Sequence, residues 1–302
     1  MEISNNITRI KVCAGWDNTQ NITDRLLRQF RSTIKHDIEF VFDDSYDIIV
    51  YNNYITESPK NGSDSILFFH EPSWSGNHQK IFNNNTLVYG YNFKIYHNYN
   101  RFIESISHMF YGGAGSWREG NEFWTFNNLF NKTFVKNKTI SCIMSNIGLN
   151  QNENPEGSIY FDRLNCVKAL FNNLSDKIDF YGSSVNKHIS LKKDGLVDYK
   201  FSICIENTNE NNYISEKFYD AILTDTIPIY FGCKNIKTIW PQKGYVLLKS
   251  ITDINYVLQE LLYIIDNATD IYRENIDGCR EIKNKFLTQN NLYQKILEYS
   301  YK

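Results

Sequence analysis

The residues best placed to do chemistry sit in one short stretch, Tyr213-Ile214-Ser215-Glu216-Lys217. Ser215 is a helix-capping residue type, and the residues after it read as a short amphipathic helix to about Thr224. The first backbone N–H groups of a helix lack intrahelical partners, and that end carries partial positive charge. Glu216 suits this field. Lys217 is repelled by it unless an anion lies nearby, and phosphate is the usual guest at such a place. With Asn207 and Tyr213 close in sequence, the group could cradle the pyrophosphate and ribose of a nucleotide. The competing reading is a solvated Glu-Lys pair on a surface helix.

Two further groups carry candidate chemistry. The apolar run Ser65–Phe69 reads as a buried strand and ends abruptly at His70-Glu71-Pro72-Ser73-Trp74. A carboxylate at the carboxyl end of such a strand is a candidate general base, its pKa raised by a partly apolar cleft; His70 is the immediate rival. Asp43-Asp44 follows another strand and could hold a divalent metal, or could simply form an acidic turn. Asp and Ser are favoured turn residues, which favours the turn.

The elements that must position these groups alternate between strand and helix. Residues 9–16, 39–42, 47–50, 65–69, 139–144, 178–182, 201–205, 227–231 and 245–248 read as strands, several of them apolar on both faces as in a parallel sheet. Pro228 is expected at the first residue of its strand. Helices are expected over 23–31, from Tyr160 to Leu174, over 253–265 and through 268–300. In the second of these, Tyr160, Leu164, Val167, Phe171 and Leu174 form the inward stripe, with Arg163 beside it. Residues 206–212 read as a polar loop. The Tyr111–Gly115 run lacks the G-K-[ST] ending of a phosphate loop. Trp117 and Trp124 could stack on a sugar or fill a core.

The segment from Phe201 to Gly232 resembles the donor-binding signature of the α-1,3/1,4-fucosyltransferase family, which uses GDP-fucose. It carries Phe201, Glu206-Asn207-Thr208, Tyr213-Ile214-Ser215-Glu216-Lys217 and Pro228-Ile229-Tyr230 before Gly232, in the family's order. Arg163 to Ala169-Leu170 keeps the spacing of a family helix, and His70-Glu71-Pro72 follows the strand where the family has a Glu. The resemblance implies a GT-B architecture: two Rossmann-like α/β domains facing across a cleft, with C-terminal helices closing over the junction. It implies that residues 1–136 bind a glycan acceptor and residues 137–302 bind the nucleotide sugar. It further implies Glu71 as the catalytic base of an inverting transfer, Arg163 and Lys217 as the diphosphate-binding cations, Glu216 and Asn207 on ribose or sugar hydroxyls, and Tyr213 near the pyrophosphate. No cofactor is required by this reading, and a divalent metal is not expected. A transferase with another nucleotide sugar, or a non-catalytic glycan-binding protein on the same scaffold, is the alternative.

The whole-chain properties fit an enzyme of this kind. The 302 residues allow two domains of about 150 each. A net charge of -2 argues against a nucleic-acid-binding surface. The main local basic cluster, Lys187-His188 to Lys192-Lys193, reads as a solvated loop. Six scattered cysteines without a C-x-x-C read as reduced core thiols. No apolar run is long enough for a signal peptide or a membrane span, so a soluble, cytoplasmic enzyme is expected.

Overall fold

The computed structural model describes residues 7–15, 18–30, 37–53, 55–71, 86–90, 101–104, 118–119, 122–145, 156–183, 185, 187–241, 243–290 and 292–300. The Tyr111–Gly115 run, Trp117 and Pro72 to Trp74 lie outside them.

Two parallel sheets organise the chain. The first contains β1 (Thr8–Ala14), β2 (Ile38–Phe40), β3 (Ile48–Asn52), β4 (Asp64–Phe68), β5 (Leu87–Gly90) and β6 (Phe102–Glu104), in the order β2-β1-β3-β4-β5-β6. A short antiparallel pair, β7 (Arg118–Glu119) and β8 (Glu122–Phe123), follows. The second sheet contains β9 (Lys138–Ile143), β10 (Asp179–Tyr181), β11 (Tyr199–Ile205), β12 (Ile227–Phe231) and β13 (Val246–Leu247), in the order β10-β9-β11-β12-β13. Each sheet thus starts at an inner strand, steps outward once, and then continues on the other side. The reversal falls between β1 and β3 in one sheet and between β9 and β11 in the other. In open α/β sheets, ligands bind outside the carboxyl ends of the strands at this point.

The central strand β11 is buried on both faces apart from Lys200, as its near-continuous apolar sequence requires. It pairs Phe201 with Ile227, Ile203 with Ile229 and Ile205 with Phe231. Pro228 is the second residue of β12, not the first. It shares parity with Tyr230, whose carbonyl accepts from Leu248 N at 2.9 Å on the β13 side. Because β13 pairs only from Ile229 onward, no ladder bond is lost to the missing N–H.

The helices are α1 (Thr19–Phe30), α2 (Phe126–Asn131), α3 (Tyr160–Leu174), α4 (Glu216–Leu223), α5 (Ile236–Ile239), α6 (Ile254–Asp266), α7 (Ala268–Thr288) and α8 (Leu292–Ser300). Asp253 caps α6 by accepting from Tyr256 N. Trp124 is 6% exposed and serves the core, offering no open face to a sugar.

The chain divides into two compact units. One comprises Met1–Met109, Trp124–Asn128 and Thr288–Lys302; the other comprises Phe110–Phe123 and Leu129–Leu287. Residues 288–302, expected from sequence with the second domain, therefore pack with the first sheet's unit. In α8, Leu292, Tyr293, Ile296 and Leu297 are buried, each worth about 1.5–3 kcal/mol for a large apolar side chain. The Tyr293 ring stacks on Phe40 at 6.2 Å. In the second unit, the amino end of the sheet is closed by internal charge pairing. Lys136 Nζ donates to the carbonyls of Leu196, Val197 and Thr224 and to Thr226 Oγ1. Lys283 meets Asp225 at 2.9 Å, both buried.

Candidate functional site

At the carboxyl end of the second sheet, α4 begins as its sequence requires. Ser215 is extended (φ -95°, ψ -178°), and its Oγ accepts from Lys217 N at 3.3 Å. The residue that fixes this start is Glu206, directly after β11, which is 0% exposed. Its Oε1 accepts from Ser215 N at 2.7 Å and from Tyr230 OH at 3.4 Å; its Oε2 accepts from Ser215 Oγ at 2.5 Å and lies 3.4 Å from Lys217 Nζ. The polar-loop reading of 206–212 fails at this position. A carboxylate can enter the interior when donors and a cation meet its oxygens. Gly232 makes the room: a Cβ there would lie 2.3 Å from Glu206 Cγ.

Arg163 lies on the buried face of α3. The inward residues are Tyr160, Arg163, Cys166, Val167, Leu170 and Leu174, so the expected stripe is rotated. Leu164 is half-buried, and Phe171 is 37% exposed. Arg163 itself is 7% exposed, with its guanidinium carbon 5.9 Å from the Tyr160 ring centroid. Among the described residues no carboxylate lies within ion-pair distance of it. A buried guanidinium without a counter-charge is costly, and an external anion removes that cost.

Arg163, Glu216 and Lys217 line one pocket of about 530 Å³. Its walls come from the carboxyl ends of β9 and β11, the reversal point of the sheet, with Gly182 closing one side. Gly182 has φ +106°, and a Cβ there would sit 2.0 Å from Met144 O. Lys192 and His188 also line the pocket. Lys192 is half-buried and ion-paired with Asp220, so this end of the basic cluster is no solvated loop. Burial opposes the charge on Glu216, but Lys217 and Lys192 outweigh it and hold the carboxyl at about 2. Asn207 and Tyr213 are not among the described residues that line the pocket. Asn207 accepts from Ile159 N through its carbonyl at 3.1 Å, while its Oδ1 is buried without a partner. Tyr213 is 4% exposed.

In the first unit, Glu71 is half-buried beyond β4. Asn53, at φ +77°, uses both ends of its amide there: Oδ1 accepts from His70 N at 3.0 Å and Nδ2 donates to Glu71 Oε1 at 3.1 Å. His70 is 4% exposed, with its ring 6.5 Å from Phe68. Asp43 and Asp44 form an acidic turn. Asp43 Oδ1 accepts from Ser45 N at 2.9 Å and Ser45 Oγ at 2.5 Å, and Asp44 lies 3.2 Å from Lys11 Nζ.

Residues 134–294 match the family described as glycosyltransferase family 10 (fucosyltransferase), C-terminal part. The chain belongs to that family. An α-(1,3)-fucosyltransferase of Helicobacter pylori is 26% identical over 148 residues, covering 48% of this chain and 30% of that protein. α-(1,3)-Fucosyltransferase B of Drosophila melanogaster is 31% identical over 164 residues, covering 45% of this chain and 36% of that protein. The match thus spans about a third of these relatives' lengths. A crystal structure of an α1,3-fucosyltransferase with GDP superposes with a TM-score of 0.52 at 15% identity, covering 97% of this chain and 94% of that one. The fold is the two-sheet α/β architecture of GT-B glycosyltransferases.

Within this family-10 chain, the sequence-named residues that the structure brings to one pocket are Arg163, Glu216 and Lys217. Ser215, Glu216 and Lys217 follow from a cap and a helix start, and Arg163 from motif spacing. Sequence reasoning singled out neither Glu206, which holds Ser215 and Lys217, nor Lys192, which lines the pocket. Glu206 did carry a signal: it is an acid placed immediately after a fully apolar strand.

Proposed function

We propose that this chain is a glycosyltransferase that moves fucose from GDP-fucose to a hydroxyl of a glycan acceptor, with inversion at the anomeric carbon. The observation that carries this reading is Arg163, buried without a carboxylate partner among the described residues, in one pocket with Lys217 on the first turn of α4. An anion with several oxygens is the natural complement of such a site. Family membership and the GDP named with a structural neighbour support GDP as the nucleotide.

In this reading, residues 137–302 bind the donor and residues 1–136 the acceptor. Glu71, held by Asn53, takes the proton from the acceptor hydroxyl as its oxygen attacks the anomeric carbon and the bond to the diphosphate breaks. Arg163, Lys217 and the helix N-terminus meet the charge that grows on the departing GDP. Preorganised contacts of this kind are typically worth about 2.7–4 kcal/mol of barrier each. Glu216 and Asn207 hydrogen-bond ribose or sugar hydroxyls, and Tyr213 packs near the pyrophosphate. The protein's own cations meet the leaving-group charge, so no divalent metal is required. Six free, buried cysteines suit a reducing compartment such as the cytoplasm. No helix among the described residues is long and apolar enough to cross a membrane.

Incubation with GDP-fucose and a panel of N-acetyllactosamine, Lewis-precursor and monosaccharide acceptors, read by mass, tests the reaction. The expected result is an acceptor heavier by one fucose residue. Thermal shifts with GDP, UDP and CMP test the donor, and a larger shift with UDP or CMP would overturn the choice of nucleotide.

A further inference from the structure

The pocket holds more charge than the two cations assigned above. Lys192, in the 3-10 turn Lys192–Gly195, reaches the carboxylate of Asp220. Asp220 is 3% exposed, and its Oδ1 is buried with no hydrogen-bond partner. Lys192 lines the pocket, with its side chain 26% exposed. The arrangement repeats what is seen at Lys217, whose side chain is 21% exposed beside the fully buried Glu206. In each pair the acid is interior and the ammonium reaches the pocket wall. Between them lies Glu216, 3.4 Å from Lys217 Nζ and also within the field of Lys192. Among the described residues, the charged side chains that line the pocket are therefore Arg163, Lys192, Lys217 and Glu216, with the His188 imidazole beside them.

We propose that Lys192 is a third cation for the donor diphosphate, positioned by Asp220, and that Glu216 is the anion Lys217 holds until the diphosphate replaces it. Arg163 supplies a planar fork for two oxygens, while the two ammoniums act as adaptable point charges on the rest. Glu216, released from Lys217, is then free to accept from donor hydroxyls. This inference rests on the nucleotide-sugar reading of the pocket.

Calorimetric titration of the full chain with GDP and with guanosine separates the two ideas. Lys192→Gln keeps a hydrogen-bond donor toward Asp220 while removing the charge. It is expected to weaken GDP binding by roughly ten- to a hundredfold, the range for a charge-assisted hydrogen bond, and to leave guanosine binding unchanged. Lys192→Arg is expected to restore most of the preference for GDP over guanosine. Asp220→Asn should reduce that preference by a smaller factor. Unchanged GDP affinity in Lys192→Gln, or an equal loss for GDP and guanosine, would overturn the role of Lys192. Should Lys192→Gln fail to fold, the Lys192→Arg and Asp220→Asn titrations decide: a GDP preference unmoved by Asp220→Asn overturns the positioning. A wild-type chain that does not prefer GDP over guanosine would sink the donor reading itself, which is a different result.

Discussion

The two sheets share a strand order, yet the charges near their reversal points are managed in opposite ways. In the first sheet, the buried Lys11 of β1 lies 2.8 Å from Glu57 and 3.2 Å from Asp44, with its ammonium 5.4 Å from the centre of the Tyr46 ring. These acids overcome the penalty of burial and raise its pKa. In the second sheet, the buried Arg163 of α3 has no such partner among the described residues, while Lys217 and Lys192, paired with the interior acids Glu206 and Asp220, keep part of their side chains open to the pocket. Topology provides a crevice in both sheets. Charge balance separates the two: where the chain closes its own pairs the result is structural, and a buried cation left open is where an anion from outside would be favourable.

The comparison can be broken by mutation. The largest effect is expected for Glu71→Gln, which should lower the transfer rate by about 10²–10⁴-fold, as loss of a general base does, with GDP affinity intact by calorimetry. A variant that loses GDP binding instead would move Glu71 out of the base role. Next is Arg163→Ala, expected to weaken GDP binding by roughly ten- to a hundredfold. Lys11→Met should leave GDP binding untouched and lower only the melting temperature; equal effects from both would erase the contrast between the sheets. Glu206→Ala leaves Ser215 N, Ser215 Oγ and Tyr230 OH without their acceptor, and should cost about 3 kcal/mol or more in urea unfolding. Glu206→Asp should fall between the two.

The smallest effect is a pH dependence. In the folded chain the Glu216 carboxyl is held at about 2, below its ordinary value of 4.5. A depressed carboxyl contributes stability above the unfolded value and loses it as pH falls toward 2. Thermal melts between pH 5 and pH 2 should therefore show a shallower acid loss in Glu216→Gln than in the wild type. Glu216 is 36% exposed, so solvent screening keeps the difference modest.

What was legible in the sequence was local or periodic. Apolar runs such as Phe201–Ile205 announced parallel strands, and Ser215-Glu216-Lys217 announced a capped helix start. Where a side chain answers to a distant partner, the sequence was silent. Hydrophobicity placed Leu164 and Phe171 inward and Arg163 aside, because it scores a buried guanidinium as misplaced. The pocket at its end reverses that preference. Glu206 looked like loop because its partners Ser215, Lys217 and Tyr230 become neighbours only after β12 and α4 are in place. Lys192 looked solvated because Asp220 lies on a different element.

One consequence follows from where α8 packs. Tyr293 stacks on Phe40, and Arg101 donates to Tyr299 OH at 3.3 Å, so α8 belongs to the unit that contains β1 although the whole second sheet lies between them in the chain. During synthesis on the ribosome, that unit emerges early but must wait for the later unit to be made before its final helix arrives. Its apolar docking face for α8 stays uncovered through that interval, which is when chaperones or premature association would act on this protein.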